Sequence, residues 1–260
     1  MYPNEIIFGM NLYEIFMIFA VIVCFLLCDK MTQIRKFSVP LQKLTIVAVF
    51  ASVVFGYLFA VLFQALYNFF DTGVFQLTAS TGATFYGGLL GGSGVFLCVW
   101  FFGGRIFLKG EEFEKFSDML NIAACCVPLG HGIGRLGCFF AGCCHGKDSN
   151  AWYAVHMYTE SGYKSVVPIQ LFEAIFLFAL SAVLLYFFFK KPNGFPLLPV
   201  YCGVYGIWRF FIEYARNDDR GASFIPFLSP SQLTALLLIA FAVGYLCVWL
   251  YRKKERKTNE

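Results

Sequence analysis

Seven long apolar runs constrain what this chain can fold into more than any other feature of its sequence. A helix needs roughly 20 consecutive apolar residues to cross a bilayer. The runs lie near Leu12–Cys28, Leu44–Tyr67, Ala83–Phe102, Met119–Leu136, Pro168–Phe189, Leu197–Tyr214 and Gln232–Tyr251. The fourth run is the weakest, because Pro128 and several glycines interrupt it. We therefore predict an all-α integral membrane protein with about seven transmembrane helices.

The composition excludes a soluble globular protein. Only 14% of the 260 residues are charged, against roughly 25% in soluble domains, and the chain has 33 phenylalanines. We expect a single transmembrane domain over residues 1–260, in which the polar stretch Lys147–Val167 forms a small extracytoplasmic cap. The first apolar run lacks a basic stretch before it and a small-residue cleavage site after it, so we expect no removable signal peptide.

The distribution of lysine and arginine predicts the orientation. With seven spans and a cytoplasmic C-terminus, most basic residues fall inside, as the positive-inside rule requires. They are Lys30, Arg35, Lys36, Lys43, Arg105, Lys109, Lys115, Lys190, Lys191, Arg252, Lys253, Lys254, Arg256 and Lys257. We therefore predict a multi-pass membrane protein with an external N-terminus and a cytoplasmic C-terminus. The net charge of +4 belongs mostly to the C-terminal tail, which favours anionic lipid and not nucleic acid as its partner.

Polar residues gather on the predicted outer side, in three segments. The run Gly134–Lys147 has Arg135, three cysteines and His145, and Pro168–Glu173 opens the fifth span. The third segment contributes Tyr205, Arg209, Glu213 and Arg216, whose spacings of four, four and three predict one shared helix face. One interpretation is that Arg209 and Glu213 only neutralise each other. The other is a shared polar cavity that binds phosphate, as in a lipid-handling transferase.

Five motifs in order resemble the prolipoprotein diacylglyceryl transferase family, over nearly the whole chain. They are Leu12-Tyr13, Phe85-Tyr86-Gly87-Gly88-Leu89, Gly134-Arg135-Leu136-Gly137-x-Phe139-x-x-Gly142 with Gly146, Pro168-x-Gln170-Leu171-x-Glu173, and Tyr205-Gly206-x-x-Arg209-Phe210-x-x-Glu213-x-x-Arg216. The resemblance implies transfer of the diacylglyceryl group of phosphatidylglycerol to a prolipoprotein cysteine thiol, with release of glycerol phosphate. It implies a phosphatidylglycerol-like lipid and a prolipoprotein acceptor as partners, no cofactor, and a location in the bacterial cytoplasmic (inner) membrane.

The same resemblance supplies the candidate site residues. Arg135 and Arg209 would hold phosphate, Glu213 would orient them, and Tyr13 would contact the headgroup or the reacting centre. The candidate catalytic set is Arg135, Arg209, Glu213, Tyr13, Tyr86, Cys143 and His145, and the candidate substrate-binding set is Arg135, Cys138, Gly142, Arg209, Arg216, Gln170 and Glu173.

Three positions depart from the family pattern. Tyr86 stands where the family has histidine, Cys138 where it has asparagine and Cys143 where it has glutamate. These changes are typical of a divergent subgroup. They leave open three alternatives: the same fold with a different acceptor, a non-catalytic lipid-binding protein, and a thiol-redox membrane enzyme.

The cysteine cluster itself allows several interpretations. Cys138, Cys143, Cys144 and His145 could form a metal site, a disulfide, a catalytic thiol or packed core side chains. Adjacent cysteines cannot easily both turn toward one ion, so we expect no metal here. His131 or His145 could act as a general base, or either could form only interfacial hydrogen bonds.

Overall fold

The computed structural model describes residues 9–78, 81–159, 162–190, 195–216 and 227–259, and Lys191 lies outside them. These residues form eight α-helices and one hairpin. In chain order the elements are α1 (Leu12–Ile34), α2 (Val39–Thr72), α3 (Phe85–Phe107), α4 (Glu111–Glu114), α5 (Phe116–Ala141), β1 (Val155–Thr159), β2 (Gly162–Val166), α6 (Ile169–Lys190), α7 (Leu197–Ile212), a 3-10 turn (Glu213–Ala215) and α8 (Pro230–Asn259). The all-α integral membrane fold is confirmed.

Six of the described helices are long and apolar enough to cross a membrane: α1, α2, α3, α5, α6 and α8. The sixth predicted span, near Leu197–Tyr214, forms α7, which has only 16 residues and would extend about 24 Å at 1.5 Å per residue. Pro128 lies inside α5 without ending it. A transmembrane helix tolerates such a proline because neighbouring helices satisfy the freed backbone groups.

Burial separates two central helices from the rest. In the apolar 18-residue stretch of each helix, 44% of the residues of α5 and 39% of those of α6 are buried, against 11–17% in the other four candidate spans. Large apolar side chains such as Phe50 and Phe70 are exposed, as expected of a surface that faces lipid tails. Polar groups that need protection from lipid are therefore expected on α5 and α6.

The chain divides into two compact units, one of Cys28–Met119 and one of Met1–Leu27 with Leu120–Glu260. In the first unit, α2 and α3 approach closely through glycines. A Cβ on Gly56 would lie 3.3 Å from the Gly88 carbonyl oxygen, so only small residues allow this packing. The single domain over residues 1–260 stays a prediction.

The second unit contains the hairpin and α6 to α8. Strands β1 and β2 pair antiparallel, with Val155 opposite Val166 and Thr159 opposite Gly162. A further backbone bridge joins Gly146 to Arg216, so the segment after α5 and the segment after α7 meet. This hairpin is the small cap that the polar stretch predicted, and its bridge brings the ends of α5 and α7 together.

Candidate active site

Glu173 on α6 is the centre of a buried ionic network. Its side chain is fully buried, and Arg135 Nε on α5 lies 2.8 Å from Glu173 Oε2. The hydroxyl of Tyr205 on α7 donates to Oε1 at 3.1 Å, and Arg216 Nη1 lies 3.9 Å from Oε2. His131 Nε2 lies 3.8 Å from Oε1. A carboxylate can remain ionised at such depth only with partners of this kind.

Glu213 forms a second carboxylate centre next to the first. Arg209 Nη2 lies 2.9 Å from Glu213 Oε2 and donates to Ser231 Oγ at 2.9 Å. Ser229 Oγ donates to Glu213 Oε1 at 2.9 Å. Arg216 Nε lies 3.9 Å from Glu213 Oε2, so Arg216 joins the two centres. The predicted neutralisation of Arg209 by Glu213 is confirmed, but this pair belongs to a larger network.

The network concentrates positive charge at one buried place. Among the residues that the structure describes, it contains three guanidinium groups, those of Arg135, Arg209 and Arg216, together with two carboxylates. All three guanidinium groups are at most 14% exposed. Such a cluster suits an anion such as a phosphodiester, because arginine binds phosphate oxygens with two parallel hydrogen bonds.

The predicted shared helix face is only partly correct. Tyr205 and Arg209 lie in α7, but the α-helix ends at Ile212 and Glu213 begins a 3-10 turn. The backbone of Arg216 is extended, because it pairs with Gly146. Arg216 therefore enters the network from outside the helix, and the bridge to Gly146 positions it.

The segment after α5 brings three thiols together. The Sγ atoms of Cys138, Cys143 and Cys144 all lie within 4.8 Å of one another, and all three thiols are free. The expectation that adjacent cysteines cannot turn to one point is wrong. Gly142 (φ +74) and Cys144 (φ +58) both adopt left-handed backbone conformations, which redirect the chain between the two side chains.

Hydrogen bonds and charge make the three thiols unequal. Hydrogen bonds from the other two thiols lower the pKa of Cys144. The charges of Arg135 and Arg216 lower the same pKa further, and together these effects outweigh the burial that raises it. Hydrogen bonds with Cys138 and Cys144 raise the pKa of Cys143. The cluster therefore favours one thiolate, at Cys144.

Two glycines and a glutamine hold this segment in place. A Cβ on Gly142 would collide with the Tyr158 carbonyl oxygen, and one on Gly146 would lie 2.8 Å from the Ala215 carbonyl oxygen. The buried Gln170 Nε2 donates to the Cys143 carbonyl oxygen at 2.6 Å. The predicted Gly142 and Gln170 therefore lie in the site and shape its backbone.

The remaining candidates lie at different places. Tyr13 on α1 packs on Gly137 of α5, where an added Cβ would lie 3.3 Å from Tyr13 Cδ2. His145 Nδ1 lies 2.9 Å from the Gly146 carbonyl oxygen. Tyr86 lies in the first turn of α3, in the unit Cys28–Met119.

Sequence reasoning missed Ser229 and Ser231, which bind Glu213 and Arg209. The only sequence signal was the Ser-Pro-Ser-Gln segment before the last apolar run, which is typical of a helix start. Ser229 Oγ does accept from the Gln232 backbone amide at 3.1 Å. The contacts of the two serines with Glu213 and Arg209 depend on how α7 and α8 pack, and no local sequence pattern indicates that packing.

Fold and site together define a polytopic membrane protein with a buried, arginine-rich centre suited to an anionic headgroup. The model of the prolipoprotein diacylglyceryl transferase family matches residues 5–249. The chain belongs to the prolipoprotein diacylglyceryl transferase family. The resemblance of the five sequence motifs to this family is thereby confirmed.

Curated relatives cover nearly the whole chain. One is phosphatidylglycerol–prolipoprotein diacylglyceryl transferase 2 of Clostridium perfringens, 30% identical over 96% of this chain and 95% of its own length. Another is the phosphatidylglycerol–prolipoprotein diacylglyceryl transferase of Clostridium tetani, 27% identical over 95% and 97%. The enzyme of that name from Dehalococcoides mccartyi is 30% identical over 82% and 76%.

Proposed function

We propose that this protein transfers the diacylglyceryl group of phosphatidylglycerol to the cysteine thiol of a prolipoprotein. One observation supports this most directly: three guanidinium groups, those of Arg135, Arg209 and Arg216, lie together in one buried network. A phosphodiester headgroup has the opposite charge and the oxygen geometry that arginine binds. The names of relatives that cover nearly the whole chain favour the same lipid and acceptor.

The reaction places its charge where the arginines lie. The acceptor sulfur attacks the glyceryl carbon next to the phosphate, a C–S bond forms, and the C–O bond to phosphate breaks. The electron pair of that bond leaves on glycerol phosphate, and the thiol proton passes to a base or to water. Because the leaving phosphate gains negative charge, guanidinium groups fixed around it stabilise the transition state more than the bound lipid.

In this proposal each charged group has a task. Arg135 and Arg209 bind the phosphate, and Arg216 adds to the same positive field. Glu213, which lies 2.9 Å from Arg209, and Glu173, which lies 2.8 Å from Arg135, keep both guanidinium groups oriented when no lipid is bound. Such preorganisation removes the cost of ordering two long side chains at the moment of reaction.

Other candidates shape the surroundings of that centre. Tyr13 lies at the start of α1 against Gly137 and contacts the headgroup. Gln170 fixes the backbone at Cys143 through its 2.6 Å hydrogen bond. The protein would lie in the bacterial cytoplasmic membrane with its N-terminus outside, as the positions of lysine and arginine favour.

A transfer assay with labelled phosphatidylglycerol and a cysteine-containing prolipoprotein peptide tests the proposal. We expect Arg135→Ala and Arg209→Ala each to lower the transfer rate by roughly a hundredfold or more, the effect of removing one preorganised donor. Arg252→Ala, at an exposed position of α8, is the matched control and should leave the rate unchanged. Unchanged transfer in both site variants would refute the proposal, and bound lipid without turnover in the unaltered protein would indicate a non-catalytic lipid-binding protein.

A further inference from the structure

The three-thiol cluster of Cys138, Cys143 and Cys144 has the donor set of a zinc site. Its sulfurs lie within 4.8 Å of one another. Sulfurs bound tetrahedrally to Zn²⁺ at about 2.3 Å lie about 3.8 Å apart. Small side-chain rotations that shorten the sulfur–sulfur distances by about 1 Å would therefore close the cluster around an ion. Among the residues that the structure describes, no other group of three His, Cys, Asp or Glu donors is so compact.

The surrounding structure favours ion binding over simple packing. The left-handed backbone at Cys144 is unfavourable for a residue with a side chain. It is this conformation, with that of Gly142, that turns two adjacent sulfurs to the same point. Arg135 and Arg216 supply positive charge next to Cys144, so bound thiolates would not be isolated negative charges.

The cluster would leave one position of a tetrahedral ion open. Structural zinc sites use four protein ligands, whereas catalytic sites use three and bind water or substrate at the fourth. His145 is not part of the compact donor group, and its Nδ1 atom lies 2.9 Å from the Gly146 carbonyl oxygen. The fourth ligand must therefore come from outside the cluster.

We propose that Cys138, Cys143 and Cys144 bind Zn²⁺ as three thiolates, and that the acceptor cysteine binds this ion as its fourth ligand. The coordination of the acceptor cysteine rests on the proposed function. A thiol that coordinates a zinc ion loses its proton, so the ion would generate the nucleophile without a general base. Zinc binding releases the protons that the cluster thiols still hold to solvent, and acceptor binding releases one more. The metal-bound sulfur then forms the C–S bond while glycerol phosphate leaves.

The first test measures metal binding without measuring transfer. The full-length protein in detergent is stripped with a chelator and titrated with Co²⁺, a spectroscopic substitute for Zn²⁺. We expect one Co²⁺ per chain, a thiolate-to-cobalt charge-transfer band with the intensity of three sulfurs, and loss of the band when Zn²⁺ is added. Cys138→Ser, Cys143→Ser and Cys144→Ser should each remove at least a third of that intensity.

Matched controls separate ligand loss from misfolding. Cys98→Ser and Cys247→Ser, at exposed positions elsewhere, should keep the full band. Each variant is checked for helix content by circular dichroism, and a conservative Cys144→Asp keeps an anionic ligand if the serine variant does not fold. No band in the unaltered protein, or a full band in folded variants of the cluster, would overturn the metal site.

The second test addresses the acceptor. A peptide with the acceptor cysteine is added to the Co²⁺-loaded protein, and the same peptide with serine is the control. We expect the cysteine peptide alone to strengthen the charge-transfer band by about a third, as a fourth sulfur would. An unchanged band overturns the acceptor half of the proposal. Transfer that persists in metal-free protein overturns the zinc role but supports the proposed function, whereas metal binding with no transfer supports the site and refutes that function.

Discussion

Replacing Glu173 by glutamine tests whether the buried network depends on this carboxylate. The substitution keeps the size of the side chain and an oxygen that can accept from the Tyr205 hydroxyl at 3.1 Å. It removes the negative charge that faces Arg135 at 2.8 Å and Arg216 at 3.9 Å. The variant therefore measures the effect of the negative charge alone, because the side-chain shape and the hydrogen bond with Tyr205 are kept.

The expected loss of stability follows from these distances. At an effective dielectric constant of about 20, unit charges 2.8 Å apart attract by about 6 kcal/mol and unit charges 3.9 Å apart by about 4 kcal/mol. Glutamine is easier to bury than a carboxylate, which offsets several kcal/mol of this attraction. We expect a net loss of about 3–5 kcal/mol, as for other buried pairs that lose one partner.

Denaturant unfolding in mixed micelles measures this loss. The fluorescence of the four tryptophans, one of which, Trp208, stacks on Phe176 at 4.2 Å, reports the transition. Glu114→Gln, at an exposed position on α4, is the control and should change the free energy of unfolding by less than about 0.5 kcal/mol. A loss below about 1 kcal/mol for Glu173→Gln would mean that Glu173 does not compensate Arg135 and Arg216, and the network argument would be wrong.

Two further predictions concern the cysteine segment. Gly142→Ala should destabilise the protein more than Gly162→Ala in thermal unfolding, because both glycines have positive φ but only Gly142 would also collide with a backbone carbonyl. Equal losses would show that the collision is relieved by movement. In metal-free protein, Cys144 should react with iodoacetamide near pH 6, because its lowered pKa keeps the thiolate form at that pH. An ordinary thiol, with a pKa of about 8.5, is almost wholly protonated there. Cys144→Ser should remove this reaction, and reaction only above pH 8 would contradict the lowered pKa.

Much of the fold could be predicted because the lipid solvent acts on each segment separately. Any run of about 20 apolar residues satisfies its backbone groups as a helix, whatever its neighbours do. The run near Met119–Leu136 therefore formed α5 despite Pro128. The short α7 could not be distinguished from a full span, because its helix ends at Ile212 where the chain turns to bridge Gly146.

The candidate site was predicted by residue type more than by geometry. A buried arginine or glutamate in an apolar run requires a partner, so Arg135, Glu173, Arg209 and Glu213 were visible as a group. Which carboxylate each arginine would meet was not visible, and the joining role of Arg216 depends on its extended backbone. The two serines at the start of α8 were missed because only the packing of α7 on α8 places them at the network.

The sequence by itself determined that the chain enters a membrane, which segments form helices, and which buried charged residues need ionic partners. The reason is that transfer from water to lipid depends on local composition. Only the tertiary structure decided that Glu173 and Glu213 share three arginines, and that Cys138, Cys143 and Cys144 meet at one point. The physical reason is that ion pairing and metal coordination depend on distances of a few ångströms between segments far apart in the chain. Those distances depend on helix ends, left-handed residues and backbone bridges, which hydropathy does not encode.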